Sequence, residues 1–178
     1  MLKTVSSKDN YACAAVGVLE ADYRRIAGLL DEYESSVEPR ARANLVARVC
    51  TELDVHTRIE QEIFYPAARK TNETIRAYID DSMAEHSAIR RLTVELLDMT
   101  PADEFYQPKL DVLVEFVRHH ARDQADTVLA RLTESGLDLP GVCEQMLHAR
   151  QQMQAGAMPL PRSRPRSPAP AAQRRSNG

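Results

Sequence analysis

The chain has no tryptophan, only six glycines and three cysteines in 178 residues, and little of the polar–apolar alternation that marks β-strands. The glycines (Gly17, Gly28, Gly136, Gly141, Gly156 and Gly178) lie mostly at or beyond expected helix ends. Cys13, Cys50 and Cys143 are widely spaced in apolar helical contexts and form no Cys-x-x-Cys. That pattern argues against a disulfide framework, a thiol redox pair and a structural zinc site, and it fits a reducing cytoplasm. No apolar run approaches the roughly 18 residues of a membrane span. The N-terminus lacks the hydrophobic region of a signal peptide. A soluble, cytoplasmic protein is the expectation.

Charge is unevenly spread. The net charge is −3, but residues 158–178 carry five Arg and no acid, which leaves 18 basic against 26 acidic groups in residues 1–157. The tail Met158-Pro-Leu-Pro-Arg-Ser-Arg-Pro-Arg has too little apolar surface to fold and reads as a disordered, basic, Pro/Arg-rich extension. It has no aromatics to stack on bases, and nothing elsewhere resembles a helix-turn-helix, so no specific nucleic-acid partner is expected.

What the sequence has in abundance is helical periodicity. A first helix runs from near Ser7 or Asp9 to about Glu34, with an inner stripe of Ala12, Val16, Leu19, Tyr23, Ile26, Leu30 and Tyr33. Pro39 suits the first turn of a second helix, from about Glu38 to Lys70, which Pro66 bends or ends. A third helix covers about Asn72 to Met99, with Ile75, Ile79, Met83, His86, Ile89 and Leu96 or Leu97 inward. A fourth runs from about Pro108 to Glu134 and stops at Ser135-Gly136. Its stripe is Leu110, Leu113, Val117, His120, Gln124, Val128 and Leu132. A short fifth helix, about Pro140 to Gln154, carries Val142, Met146 and Leu147 and is expected to dock across the bundle end or support a homodimer. The predicted fold is therefore all-α: an up-down-up-down antiparallel four-helix bundle over residues 1–157, with a disordered tail at 158–178.

An ionisable or polar residue interrupts each inner stripe. His56 and Glu60 are four apart, so they share one helix face, and Leu45, Val49, Leu53, Ile63 and Phe64 place that face inward. An unpaired ionised Glu there would be very costly, and imidazole with carboxylate suits iron, zinc or manganese. Tyr23, His56, His86 and His120 all fall near mid-helix, at matching depth in an alternating bundle. Helices two and four also repeat weakly: His56 is followed by Glu60, Glu62 and Phe64, and His120 by Gln124, Asp126 and Val128.

Four stretches carry a resemblance to the hemerythrin-like, His-His-Glu cation-binding domains: Leu19-Glu-Ala-Asp-Tyr-Arg-Arg-Ile, His56-x3-Glu60 through Phe64-Tyr-Pro66, Glu85-His86-x2-Ile89, and Val117-Arg-His119-His120. The resemblance spans roughly residues 12 to 135. It implies two irons bridged by carboxylates, with binding, reduction or sensing of O2, peroxide or NO, or sensing of iron and redox state. His56, Glu60, His86 and His120 match the family's ligand positions. Tyr23 stands where the first helix usually offers His, and Gln124 or Ala125 where the fourth usually offers a carboxylate. Asp123, paired with His119, could replace that carboxylate only if the helix rotated.

The resulting expectation is a non-haem iron protein with an atypical di-iron site built on His56, Glu60, His86, His120 and Tyr23. A single-metal site is the alternative. So is a metal-free bundle serving as an interaction module, in which a hydrogen-bonded Tyr23–Glu60 network replaces the ion. His119 is expected at the solvent or behind the ligands, His148 at the surface, and Asp22-Tyr-Arg24-Arg25 and Arg90-Arg91 on solvated faces.

Overall fold

The computed structural model describes residues 7–125, 127, 130–132 and 136–156, with side chains between residues 16 and 155. The tail expected from residue 158, and the side chains of Ala12, Cys13 and Val128, lie outside the described residues. Every described element is helical: α1 (Ser7–Ser35), α2 (Pro39–Ile59), a π-helical turn (Glu60–Phe64), α3 (Tyr65–Ala68), α4 (Glu73–Leu97), α5 (Tyr106–Gln124), α6 (Ala130–Leu132) and α7 (Leu139–Gly156). No described helix is long and apolar enough to cross a membrane.

Local chemistry sets the ends. The Glu38 carboxylate accepts from the Arg40 and Ala41 amides, and Pro39 sits in the first turn where no amide is needed. Asn72 caps α4 by accepting from the Ile75 amide at 2.9 Å. Gly136, at φ +70°, supplies the left-handed residue between α6 and α7.

The second helix, expected to reach about Lys70 with Pro66 bending or ending it, runs past Pro66. It is not ended there but continues to Ala68 through the π-helical turn, where the Tyr65 amide reaches back to the Glu60 carbonyl. In an α-helix the Pro66 ring would crowd the Glu62 carbonyl, and the widened turn relieves that clash. The widening also decides direction. Side chains five apart diverge by about 140° on an α-helix but nearly realign over one π turn, so Glu60 and Tyr65 both face inward.

Helix pairs run antiparallel, as their contacts record. Arg25 meets Glu52 and Arg48 meets Glu32 between α1 and α2. Gln61 meets His86 and Arg69 meets Asp80 between the second segment and α4. Glu85 meets His120 and Glu95 meets Lys109 between α4 and α5. The Tyr33 hydroxyl donates to Gln107 at 2.7 Å and ties the end of α1 to the start of α5.

The core forms two apolar clusters. One gathers Leu19, Ile59, Phe64, Ile75, Ile79 and Met146; the other gathers Ile26, Leu30, Val49, Leu53, Ile89 and Leu113. Along each long helix the polar positions of the inner stripe fall between members of the two clusters. Two expected stripe residues lie elsewhere. Met83 is 41% exposed and Ser82 takes the inward place, because Ser82 is the residue three after Ile79 and four before His86. Leu147 is 45% exposed, and α7 buries Val142, Cys143, Met146 and Arg150 instead. That helix packs along α1 and α2.

Candidate metal centre

The residues between the clusters converge on one carboxylate oxygen. Glu60 Oε2 lies 3.3 Å from His56 Nε2, 3.1 Å from His86 Nε2 and 3.4 Å from His120 Nε2. The two nitrogens of His86 and His120 are themselves 3.0 Å apart. Glu60 and His86 are fully buried and His56 and His120 are 1% exposed. One ligand atom from each of His56, Glu60 and His120 lies within 4.8 Å of the others.

Each imidazole is held from behind. His56 Nδ1 meets Asp22 Oδ2 at 3.3 Å, and His120 Nδ1 meets Glu85 Oε2 at 2.8 Å. A carboxylate can only accept, so Nδ1 of both rings carries a proton and Nε2 is the nitrogen directed at the centre. His86 is different. Arg90 donates to Gln61 Oε1 at 3.2 Å, which turns the Gln61 amide nitrogen toward His86 Nδ1 at 3.3 Å. In that arrangement Nε2 of His86 carries the proton. Ligation through it requires the Gln61 amide to turn over.

Around Glu60 the remaining valences are filled. The Tyr65 hydroxyl donates to Oε2 at 3.1 Å, and the Gln124 amide donates to Oε1. Burial alone would raise the Glu60 carboxyl, but the His56 imidazole and the hydrogen bonds from His120 and His86 hold it well below the usual carboxylate range. Burial would lower His120, yet its bonds to Glu60 and Glu85 raise it to about 9. His86 is lowered, with burial outweighing its bond to Glu60. Burial, then the charge of Glu60, pushes the Tyr23 and Tyr65 phenols up.

The donor set fits a metal ion on two grounds. His56 Nε2 and the Tyr23 hydroxyl are buried without a hydrogen-bond partner, a costly condition for polar atoms in a core. Donor atoms bound to one ion at about 2.1 Å lie roughly 3.0–3.4 Å apart, and the separations around Glu60 Oε2 match that edge.

The five expected site residues are thus brought together. Tyr23 lies edge-on to His56, ring centroids 4.6 Å apart, but its hydroxyl makes no bond to Glu60 of the kind expected for a core tyrosine. Gln124, not Asp123, faces inward; Asp123 is half-exposed beside His119 at 3.2 Å. His119 itself is 55% exposed, and His148 is exposed beside Gln152.

Sequence reasoning missed Asp22, which is 1% exposed rather than on a solvated face. It also missed Glu85, Gln61 and Tyr65. Glu85 had a readable signal, since it directly precedes the inward His86, whereas Asp22 reads as part of a charged run until Arg150 reaches it. Tyr65 had none, because its direction depends on the π turn.

The family model described as the hemerythrin HHE cation binding domain matches residues 15–132. A crystal structure of a hemerythrin HHE cation-binding domain-containing protein from Mycobacterium kansasii is similar in fold, with a TM-score of 0.59, 21% identity, and 85% of this chain and 89% of that one covered. A DNA nickase from Nostoc sp. (strain PCC 7120 / SAG 25.82 / UTEX 2576) is 22% identical over 118 residues, and the match spans 65% of this chain but 32% of that protein. With the family model matching residues 15–132, about two thirds of its length, this chain belongs to the hemerythrin HHE cation-binding domain family.

Proposed function

We propose that the protein is a non-haem iron protein that binds, reduces or senses O2, peroxide or NO. The observation that carries this reading is the convergence of three imidazole Nε2 atoms on Glu60 Oε2 within 3.1–3.4 Å, in a fully buried pocket. Imidazole and carboxylate together suit iron. His56, His86 and His120 would hold the ion with Glu60, and Tyr23 would complete the set as a phenolate or as a hydrogen-bond donor beside it. An iron bound there would supply a redox couple that reacts with a small ligand.

The chain's own groups do the rest. Asp22 and Glu85 fix the Nδ1 protons of His56 and His120 and so keep both Nε2 atoms aimed inward. The apolar clusters on both sides exclude bulk water. The Tyr65 hydroxyl already donates a proton to Glu60 Oε2, and the Tyr23 hydroxyl is a second buried proton-bearing group beside His56.

A single ion is the second reading, and two observations favour it. Gln124 offers a neutral amide where a bridging carboxylate would be needed, and ligand atoms of His56, Glu60 and His120 lie within 4.8 Å of one another. Elemental analysis of protein loaded anaerobically with Fe(II), alongside its optical spectrum, decides between them. Two irons per chain support a di-iron centre and one supports the compact site. None overturns the iron proposal and leaves a buried polar network in an interaction module.

A further inference from the structure

We infer that α7, which lies beyond the matched family domain, is a working part of the metal centre, and that Arg150 is the positioning residue through which it acts. This inference rests on the proposed metal site.

The matched domain ends at residue 132, whereas α7 begins at Leu139. From the middle of that helix Arg150 enters the bundle, its side chain only 10% exposed. Arginine is rarely buried unless paired, and here the pairing is specific. Nη2 of Arg150 donates to Oδ2 of Asp22, the same oxygen that lies 3.3 Å from His56 Nδ1. Arg25 holds the other oxygen of Asp22 from the half-exposed side. Glu52 stands 3.7 Å from Arg150 Nη1 and 3.2 Å from Arg25 Nε, which balances the second cation.

Asp22 is thus fixed between two guanidinium groups, and its remaining direction is spent on His56. Both the plane of that imidazole and its Nδ1 proton follow from where the carboxylate sits. Without Arg150, Asp22 is free to swing toward Arg25 and away from the ring. His56 Nε2, already without a partner in the core, then loses its aim. The chain runs Arg150 to Asp22 to His56 to the centre, and every link but the cation at its end lies in the matched domain.

Two alternatives on the molecule carry less. The cluster of Glu85, His119 and Asp123 has cation-like spacing but is half open to solvent, with nothing further pointing to an ion. The cavity of about 310 Å³ between α1 and α2 is lined by Arg25 and Arg48, which already face Glu52 and Glu32, and by Arg24, paired with Glu20.

The test compares metal affinity and optical spectrum across full-length variants, using Fe(II) under anaerobic chelator competition. Arg150→Met is expected to bind iron about ten- to a hundredfold more weakly than the unaltered chain, with a changed ligand-field or charge-transfer spectrum. Arg150→Lys should recover part of that loss. Asp22→Asn should reproduce it, and the double variant should lose little more than either single one, since both act on one link. Met146→Ala loosens the same helix without touching the relay, so it should lower thermal stability and leave the spectrum unchanged. If Arg150→Met keeps the affinity and spectrum of the unaltered protein, the inference is wrong while the metal site stands. Equal losses in Arg150→Met and Met146→Ala would also overturn it, by reducing Arg150 to a packing residue. Should Arg150→Met not fold, Asp22→Asn and Arg150→Lys carry the same comparison. An unaltered chain that takes up no iron removes the metal reading itself, and the inference with it.

Discussion

The Tyr23 hydroxyl is buried, unpartnered and 4.6 Å from His56 by ring centroids, so it has two ways to be satisfied: a metal or a small ligand. If it ligates ferric iron, the loaded protein has an intense visible charge-transfer band that Tyr23→Phe removes. An unchanged band in that variant would show that the phenol acts through a hydrogen bond or not at all. Gln61 gives a second residue-level prediction. Its amide now offers a donor to His86 Nδ1, the wrong polarity for a ring that ligates through Nε2. Gln61→Glu supplies an acceptor, and an orienting acceptor is worth roughly tenfold in metal affinity. Chelator competition should therefore show tighter iron binding in the variant, and weaker binding would mean that His86 does not ligate through Nε2. At Gln124 the amide hydrogen bond keeps Glu60 Oε1 satisfied. Gln124→Glu sets two carboxylates against each other in a dry pocket, and a buried unpaired charge costs several kcal/mol. The metal-free variant should lose about 3 kcal/mol or more in denaturant unfolding, and iron should restore the loss if the two carboxylates can share it.

At the scale of elements, what was legible in the sequence divides cleanly by physical cause. Helix existence and most inward faces were readable because Ile75, Ile79, His86 and Ile89, or Leu110, Leu113, Val117 and His120, fall at separations of three, four or seven. So were the starts, since Pro39 and Asn72 carry their own local chemistry. How the second helix passes Pro66 was not, since the sequence left a bend or an end open. Proline alone says that an α-helical hydrogen bond is lost; whether the helix stops or widens depends on what Glu60 and Tyr65 gain by facing inward together. Asp22 was misread for a related reason. It belongs to a run of charge, Asp22-Tyr-Arg24-Arg25, and only the arrival of Arg150 from 128 positions away turns it into a buried ion pair. Elements can be tested one at a time. Asn72→Ala removes the cap of α4 and should cost about 1 kcal/mol. Met146→Ala opens a cavity where α7 meets the core and should cost about 2–5 kcal/mol. A Met146→Ala variant as stable as the parent in urea would mean that α7 is not docked in solution.

For the whole molecule, charge and burial combine into a pH dependence that differs between the metal-free and loaded protein. In the metal-free chain the centre holds Glu60 and Glu85 below their ordinary range and His120 above its own, at about 9. A carboxylate lowered in the folded state stabilises it above the unfolded value, roughly pH 4–4.5, and that contribution fades as pH falls through the folded value. A histidine raised in the folded state stabilises it fully below about pH 6.5 and loses that contribution as pH rises through about 9. A lowered histidine acts the other way, so His86 removes stability as pH falls below about 6.5; together these place the greatest stability of the metal-free protein near pH 6.5, with an alkaline decline centred between about 7 and 9. Iron reverses the alkaline side. A metal at the Nε2 atoms competes with protons there, so binding releases them and strengthens as pH rises. Thermal unfolding with and without iron across pH 5–9 should therefore show the gap between the two forms widening toward alkaline pH. Parallel curves over that range would mean that the metal sits away from His120, and that Glu60 and its three imidazoles form a structural network instead.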